Sequence, residues 1–294
     1  MGSSVYNTVL RSERAVHLGY TTASVNEIFT QNNLRTIHES MEPKKALIRE
    51  SRDSETHPNS VPIIIALDVT GSMGKIPHQL VKDGLPTLMS GIIQNGIPDP
   101  QVLFLAVGDV TCDHHPLQVG QFESGDEELD MWLTRTYLEG GGGGNDGESY
   151  SLAWHYAANH TVTDAWEKRK QKGFLFTIGD EPIHSSFTKK YLNEIFGDDY
   201  QGNTKNEDLL EAAQMMYNVY HIHVAETSAG KRSLEFWKNL MGQHCISVES
   251  HTEIPKVIAN IVSSNVNTSV QNNNVNTMTD TIVDVDTKDE MMLL

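Results

Sequence analysis

Four apolar-rich runs of strand length stand out along the chain: Val61–Leu67, Gln101–Val107, Gly173–Ile178 and Tyr217–Val224. The first three run on without alternation, the pattern of strands buried on both faces of a parallel sheet, and the fourth, with Asn218, His221 and His223 among its apolar residues, is grouped with them. Cys245–Val248 is a shorter candidate at the far edge. Between the runs the apolar spacing becomes helical. Over Pro77–Gln94, Leu80, Val81, Leu85, Leu88, Met89 and Ile92 share one face, with Pro77 suited to a first turn and Pro86 predicting a kink or break. Glu127–Leu138, Glu148–Asn159, Glu207–Met216, Ser233–Met241 and Glu253–Val262 are further predicted helices. Strands alternating with helices predict a Rossmann-like, doubly wound α/β fold, a mostly parallel sheet flanked by helices.

The flanks differ. Residues 1–60 are polar and mixed, with one helix expected over Ser24–His38 on a weak stripe of Val25, Ile28, Phe29 and Ile37. A charged stretch, Arg49–Glu55, runs into the turn signal His57-Pro58-Asn59. It reads either as a solvated charge run or as a segment folded over the functional face. Residues 1–60 are expected to pack as an N-terminal extension on a main domain spanning 61–263. Residues 264–294, rich in Asn, Val and Thr, then acidic, then Met-Met-Leu-Leu, read as a disordered tail or a partner-binding peptide.

Composition narrows the function. The 294 residues suffice for one large domain or two small ones, and 38% hydrophobic residues supply a core. Twenty-two basic against 39 acidic residues give a net charge of −17. That argues against nucleic acid and against an anionic membrane surface as partners. It is compatible with cation binding, but a merely soluble surface is the stronger reading of the charge. Two cysteines, Cys112 and Cys245, are too few for a disulfide framework. Without an apolar signal core, a membrane-length run, or Ser/Thr at the sixth position (Tyr6 stands there), the expectation is a cytoplasmic protein.

The candidate chemistry sits at strand ends. Leu67-Asp68-Val69-Thr70-Gly71-Ser72-Met73-Gly74 places an acid at the end of a buried strand, hydroxyls two and four residues on, and glycines for a tight turn. Asp68, Thr70 and Ser72 could aim hard oxygens at one point, the donor type for Mg²⁺, Mn²⁺ or Ca²⁺. This run resembles the von Willebrand factor A (VWA) family, whose metal-ion-dependent adhesion site (MIDAS) begins Asp-x-Ser-x-Ser. In intracellular bacterial members a second loop carries Gly-Gly-Gly-Asp-x-Pro-Glu. Glu139-Gly140-Gly141-Gly142-Gly143-Gly144-Asn145-Asp146-Gly147-Glu148 is similar to it, although five glycines can also be a flexible linker. On that match Asn145 takes the ligand position, or Asp146 if the register slips by one. The family's third loop places an Asp after the next buried strand, here Asp180 in Ile178-Gly179-Asp180-Glu181, with Glu181 a poorer choice.

The resemblance implies the VWA fold and a metal set of Asp68, Thr70, Ser72, Asn145 and Asp180. Asp146, Glu148, Asp109 and Asp113 are additional candidates. It also implies a protein partner that presents an acidic group to the metal and, for bacterial or phage-type members, work beside a MoxR-type ATPase. Physics points the same way: ligands of open α/β sheets bind outside the carboxyl ends of strands. Two carboxylates facing one crevice there repel by several kcal/mol until a cation relieves them. The competing functions are a metal-assisted phosphate-ester hydrolase and a metal-free structural subunit of a larger assembly. No phosphate-binding Gly-x-x-x-x-Gly-Lys-Ser/Thr loop and no serine elbow favours the hydrolase. Weaker signals are the Asp109/Cys112/Asp113/His114/His115 cluster, read as a zinc site or as a loop beside the main site, and His221 and His223, read as satisfied sheet histidines. His78 and His184 are expected to flank the crevice. Trp132, Trp154, Trp166 and Trp237 read as packing.

Overall fold

A computed structural model describes residues 4–140, 147–185 and 187–266. Its centre is a six-stranded sheet of β2 (Val61–Asp68), β3 (Pro100–Val107), β4 (Leu117–Val119), β6 (Gly173–Gly179), β7 (Tyr217–Val224) and β8 (Cys245–Val248). The order across the sheet is β4-β3-β2-β6-β7-β8, parallel throughout except for β4, which pairs antiparallel with β3. The five apolar runs are therefore the five parallel strands. The antiparallel edge β4 was not anticipated, since three residues carry no periodicity to read.

Successive strand residues point to opposite faces, so one strand feeds two cores. On one face Ile63, Ile65 and Leu67 pack with Phe104, Phe174 and Ile222 under residues of the 76–94 and 254–266 helical segments. On the other, Ile64 and Ala66 pack with Leu103, Leu105 and Leu175 under Trp154, Leu209 and Trp237. These last three residues come from helices Ser151–Asn159, Asn206–Met216 and Ser228–Met241. Each buried Ile or Leu of β2 contributes about 1.5–3 kcal/mol, which fixes the strand that ends in Asp68.

Two predicted helices are modified. Ile76–Gln79 and Leu85–Gln94 are joined by a wider π-type turn at Leu80–Gly84, so Pro86, at the start of the second helix, lacks no needed hydrogen bond. The single helix expected over Ser24–His38 is two four-residue helices, Val25–Ile28 and Gln31–Leu34. Phe29 leaves helical backbone (φ −96°, ψ 80°) and its ring is buried, while Arg35 turns left-handed (φ 52°). Burying one large ring outweighs a weak helical stripe.

Residues before Val61 lie against the main sheet domain. Helix Thr8–His17, capped by Asn7 Oδ1, sets Arg11 against Asp130 (3.1 Å) and Arg14 against Asp126 (2.6 Å), both on helix Asp126–Thr134. β1 (Arg49–Ser51) pairs in parallel with β5 (Thr161–Thr163), apart from the main sheet. The charged stretch does not cover the carboxyl ends of the strands. Asp53 pairs with Arg169 (2.6 Å) and accepts from Ser60, next to the start of β2, and Arg52 pairs with Asp164 (2.9 Å) and Glu167 (2.6 Å). Nor is it a solvated run: local ion pairs hold it to helix Asp164–Arg169. The helix over 254–266 extends past residue 263, and 267–294, most of the expected tail, lie outside the described residues. Among the described residues no helix is long and apolar enough to cross a membrane.

Candidate functional site

From β2 the chain passes to β3 on one side, and after β4 it returns to β6 on the other. The strand order reverses at the β2/β6 boundary, and in open α/β sheets a crevice opens outside the carboxyl ends there. Asp68 ends β2 and Asp180 follows the neighbouring β6, so both acids lie at this boundary.

The loop after β2 folds around its own acid. Asp68 Oδ1 accepts from the Thr70 backbone N–H (2.8 Å) and the Thr70 hydroxyl (2.6 Å). Its Oδ2 accepts from the Tyr150 hydroxyl (2.6 Å). The Ser72 hydroxyl lies 3.3 Å from that of Thr70 and donates to Asp180 Oδ1 (2.8 Å). Asp180 is held in place through its backbone oxygen, which accepts from Ser233. Its Oδ2 is buried and has no hydrogen-bond partner. The structure thus brings Asp68, Thr70, Ser72 and Asp180 to one place.

Glu148 enters from the second loop. Its backbone N–H donates to Pro182 O (2.9 Å) and its carbonyl accepts from His184 N–H (3.2 Å), a two-bond stitch to the segment after Asp180. Ser149 ties the other side, its N–H to Gly108 O (3.1 Å) and its Oγ accepting from Val110 N–H (2.8 Å). Held between the loops after β3 and β6, the Glu148 carboxyl faces the Thr70 hydroxyl and the acids Asp68, Asp109 and Asp113. Its Oε2 is also buried without a partner. Asn145 and Asp146 lie outside the described residues.

The loop after β3 repeats the first. Asp109 Oδ1 accepts from the Thr111 N–H (2.8 Å) and the Thr111 hydroxyl (2.8 Å), as Asp68 does from Thr70. His184 Nε2 reaches Asp109 Oδ1 at 2.7 Å, and Asp113 Oδ2 accepts from the Asp109 N–H (2.6 Å). Of the pair expected to flank the crevice, His184 does so. His78 instead packs near Phe29, with ring centroids 6.4 Å apart. Cys112 Sγ donates to Asp109 Oδ2, and its thiol is pushed up to about 11 by desolvation and by that acid. His221 and His223 are buried in β7 and satisfied, by Thr177 Oγ1 (3.0 Å) and Gly230 O (2.7 Å).

Four carboxylates, Asp68, Asp109, Glu148 and Asp180, are each at most 6% exposed. Burial raises the Asp68 carboxyl above its ordinary range against the hydrogen bonds of Thr70 and Tyr150, and the charge of Asp180 adds to the rise. The Glu148 carboxyl is raised by burial first, then by Asp68, Asp109 and Asp113. A concentration of buried carboxyls with two unpartnered oxygens and hydroxyls at the rim has the donor chemistry of a hard divalent cation site. These residues therefore fit such an ion.

Tyr150 and Gly179 escaped the sequence reading. A Cβ on Gly179 would collide with the Tyr150 hydroxyl, so the glycine is what lets the phenol reach Asp68. The short repeat Asp-Val-Thr at Asp68 and Asp109 was visible and would have paired the two loops.

No family model and no curated protein sequence matches the chain. Among solved structures it is similar to the pilus adhesin SpaC from Lactobacillus rhamnosus GG in its open conformation, with TM-score 0.46 and 10% identity, covering 74% of this chain and 31% of the adhesin. It is similar also to proximal thread matrix protein 1 from the mussel byssus (TM-score 0.45, 12% identity, 69% of this chain and 47% of that one). A third is the SpRpn10 VWA domain (TM-score 0.39, 13% identity, 64% and 87%). The chain thus spans about a third of the adhesin's length. The fold class stated above rests on strand order and direction, not on these likenesses.

Proposed function

We propose that this chain is a VWA-like protein-interaction module whose crevice holds Mg²⁺, or Mn²⁺ or Ca²⁺, and through it an acidic group of a partner. Asp68, Thr70, Ser72, Asp180 and Glu148 would hold the ion. The observation that carries the reading is the pair of buried, unpartnered oxygens, Asp180 Oδ2 and Glu148 Oε2, beside an Asp-x-Thr-x-Ser loop. A buried carboxyl oxygen without a partner is costly, and a cation bound beside it would remove that cost. Ser72 is exposed at the rim, which leaves the ion accessible from solvent on that side. A partner carboxylate is the complementary ligand for a hard cation with an open position.

The test uses Mn²⁺ as a relaxation probe. Mn²⁺ bound to the full chain, with exchangeable water on it, should enhance water-proton relaxation, and Asp68→Ala should abolish the enhancement. A short Glu-containing peptide should then lower it by displacing water, while the same peptide with Gln should not. Bound Mn²⁺ indifferent to both peptides would sink the recognition claim. A second reading, a metal-free structural subunit, is favoured by the hydrogen bonds that already occupy both Asp68 oxygens. It predicts no Mn²⁺ enhancement at all.

A further inference from the structure

Away from the crevice, helix Ser151–Asn159 ends beside the loop that follows helix Lys189–Phe196. His155, on the first of these helices, is fully buried, and His160, at its C-cap, is 4% exposed. Gly197 closes the second helix in left-handed backbone (φ 73°), a turn that suits glycine, and the next residue is Asp198. One ligand atom from each of His155, His160 and Asp198 lies within 4.8 Å of the others.

The hydrogen-bond arithmetic there does not close. His160 Nδ1 lies 2.8 Å from Leu47 O, a carbonyl that can only accept, so Nδ1 carries the proton. In the neutral ring Nε2 is then a bare lone pair. It lies 3.4 Å from Asp198 Oδ2, another acceptor, and has no hydrogen-bond partner. His155 Nδ1 faces the Asn159 amide nitrogen, a donor, at 3.3 Å, so in the neutral ring the proton sits on Nε2, which is likewise buried without a partner. Burial disfavours the imidazolium form of both rings. Their walls are aromatic: Phe196 lies 4.8 Å from His155 and 4.6 Å from His160, and Tyr200 lies 4.6 Å from His155, between ring centroids. A lone-pair nitrogen, a carboxylate oxygen and a second imidazole whose Nε2 finds no partner thus converge within ligand distance of one ion.

We infer that His155, His160 and Asp198 form a second, separate metal site, for Zn²⁺ or a similar borderline transition ion. Imidazole with one carboxylate selects such ions over Mg²⁺ or Ca²⁺. Ligands about 2.0–2.1 Å from a tetrahedral Zn²⁺ are about 3.3–3.4 Å apart, and the His160–Asp198 separation is 3.4 Å. The Leu47 carbonyl supplies the outer hydrogen bond that orients a ligating histidine. Asp198 is 35% exposed and gives the ion an entry path. The site links the end of one helix to the loop after another. It shares no residue with the crevice, so the two metal claims stand or fall separately.

The test is titration of metal-stripped full chain with Co²⁺ in excess Mg²⁺, read by the visible absorption of four-coordinate cobalt, and then displacement by Zn²⁺. One equivalent should bind in the wild type and in Asp68→Ala. Asp198→Ala, a change at a partly exposed side chain, should weaken it by at least about 100-fold, the upper end of what even outer-ligand losses cost. His155→Gln should do the same if it folds. An absent cobalt band in wild type, a band that Asp68→Ala removes, or one that Asp198→Ala leaves intact would each overturn the assignment.

Discussion

Asp68 has both oxygens occupied by donors from its own loop and from Tyr150, 82 residues away. The first contact is readable in sequence, since an acid followed two residues later by Thr closes a local turn. The second is not, because nothing near Tyr150 in the chain announces a partner so distant. Glu148 was named only as an additional candidate, yet it stands at the centre of the acid cluster because the Ile183 bridge and Ser149 hold its backbone. The collision at Gly179 gives a prediction at this scale. Gly179→Ala should destabilise the fold by about 1–3 kcal/mol, the usual cost of overpacking, and Tyr150→Phe should relieve part of that loss in the double variant. Additive costs in urea unfolding would show that the two residues do not meet as described.

At the scale of elements, β2, β3 and β6 were legible because each is buried on both faces and so is almost continuously apolar, while β7 and the short edge strand β8 showed as apolar-rich runs in the same alternation with helices. The pieces that escaped are short or set by distant contacts: β4, the β1–β5 pair, and helix Thr8–His17, whose buried face holds Arg11 instead of an apolar stripe. The junction of β1 with its surroundings rests on Asp164. Burial acts to raise its carboxyl, but hydrogen bonds from Lys168, the Asp53 N–H and Arg52 outweigh that and hold it at about 2. A depressed acid adds stability above its unfolded value of about 4, and loses it as pH falls through the folded value. Asp164→Asn should therefore cost about 1–2 kcal/mol at pH 7, with the gap to wild type shrinking below about pH 4. Urea unfolding at several pH values checks this, and a gap that widens on acidification would contradict it.

For the molecule as a whole, the doubly wound topology makes the site. Two acids far apart in sequence meet only because β2 and β6 are neighbours at the reversal of strand order. The net charge of −17 describes the whole chain, and the structure gathers four of its acidic residues, buried, at one crevice. The central claim is that a divalent cation belongs there. Its most direct test is thermal unfolding of the full chain in EDTA, Mg²⁺, Mn²⁺ and Ca²⁺, with Asp68→Ala in parallel. An ion that binds only the folded state, at a hundred times its Kd, adds about 2.7 kcal/mol, or roughly 5–10 °C in Tm for a domain of this size. The account predicts that rise in wild type for at least one of the three ions and none in Asp68→Ala. Equal midpoints in EDTA and in all three metals, or a rise that Asp68→Ala retains, would contradict it.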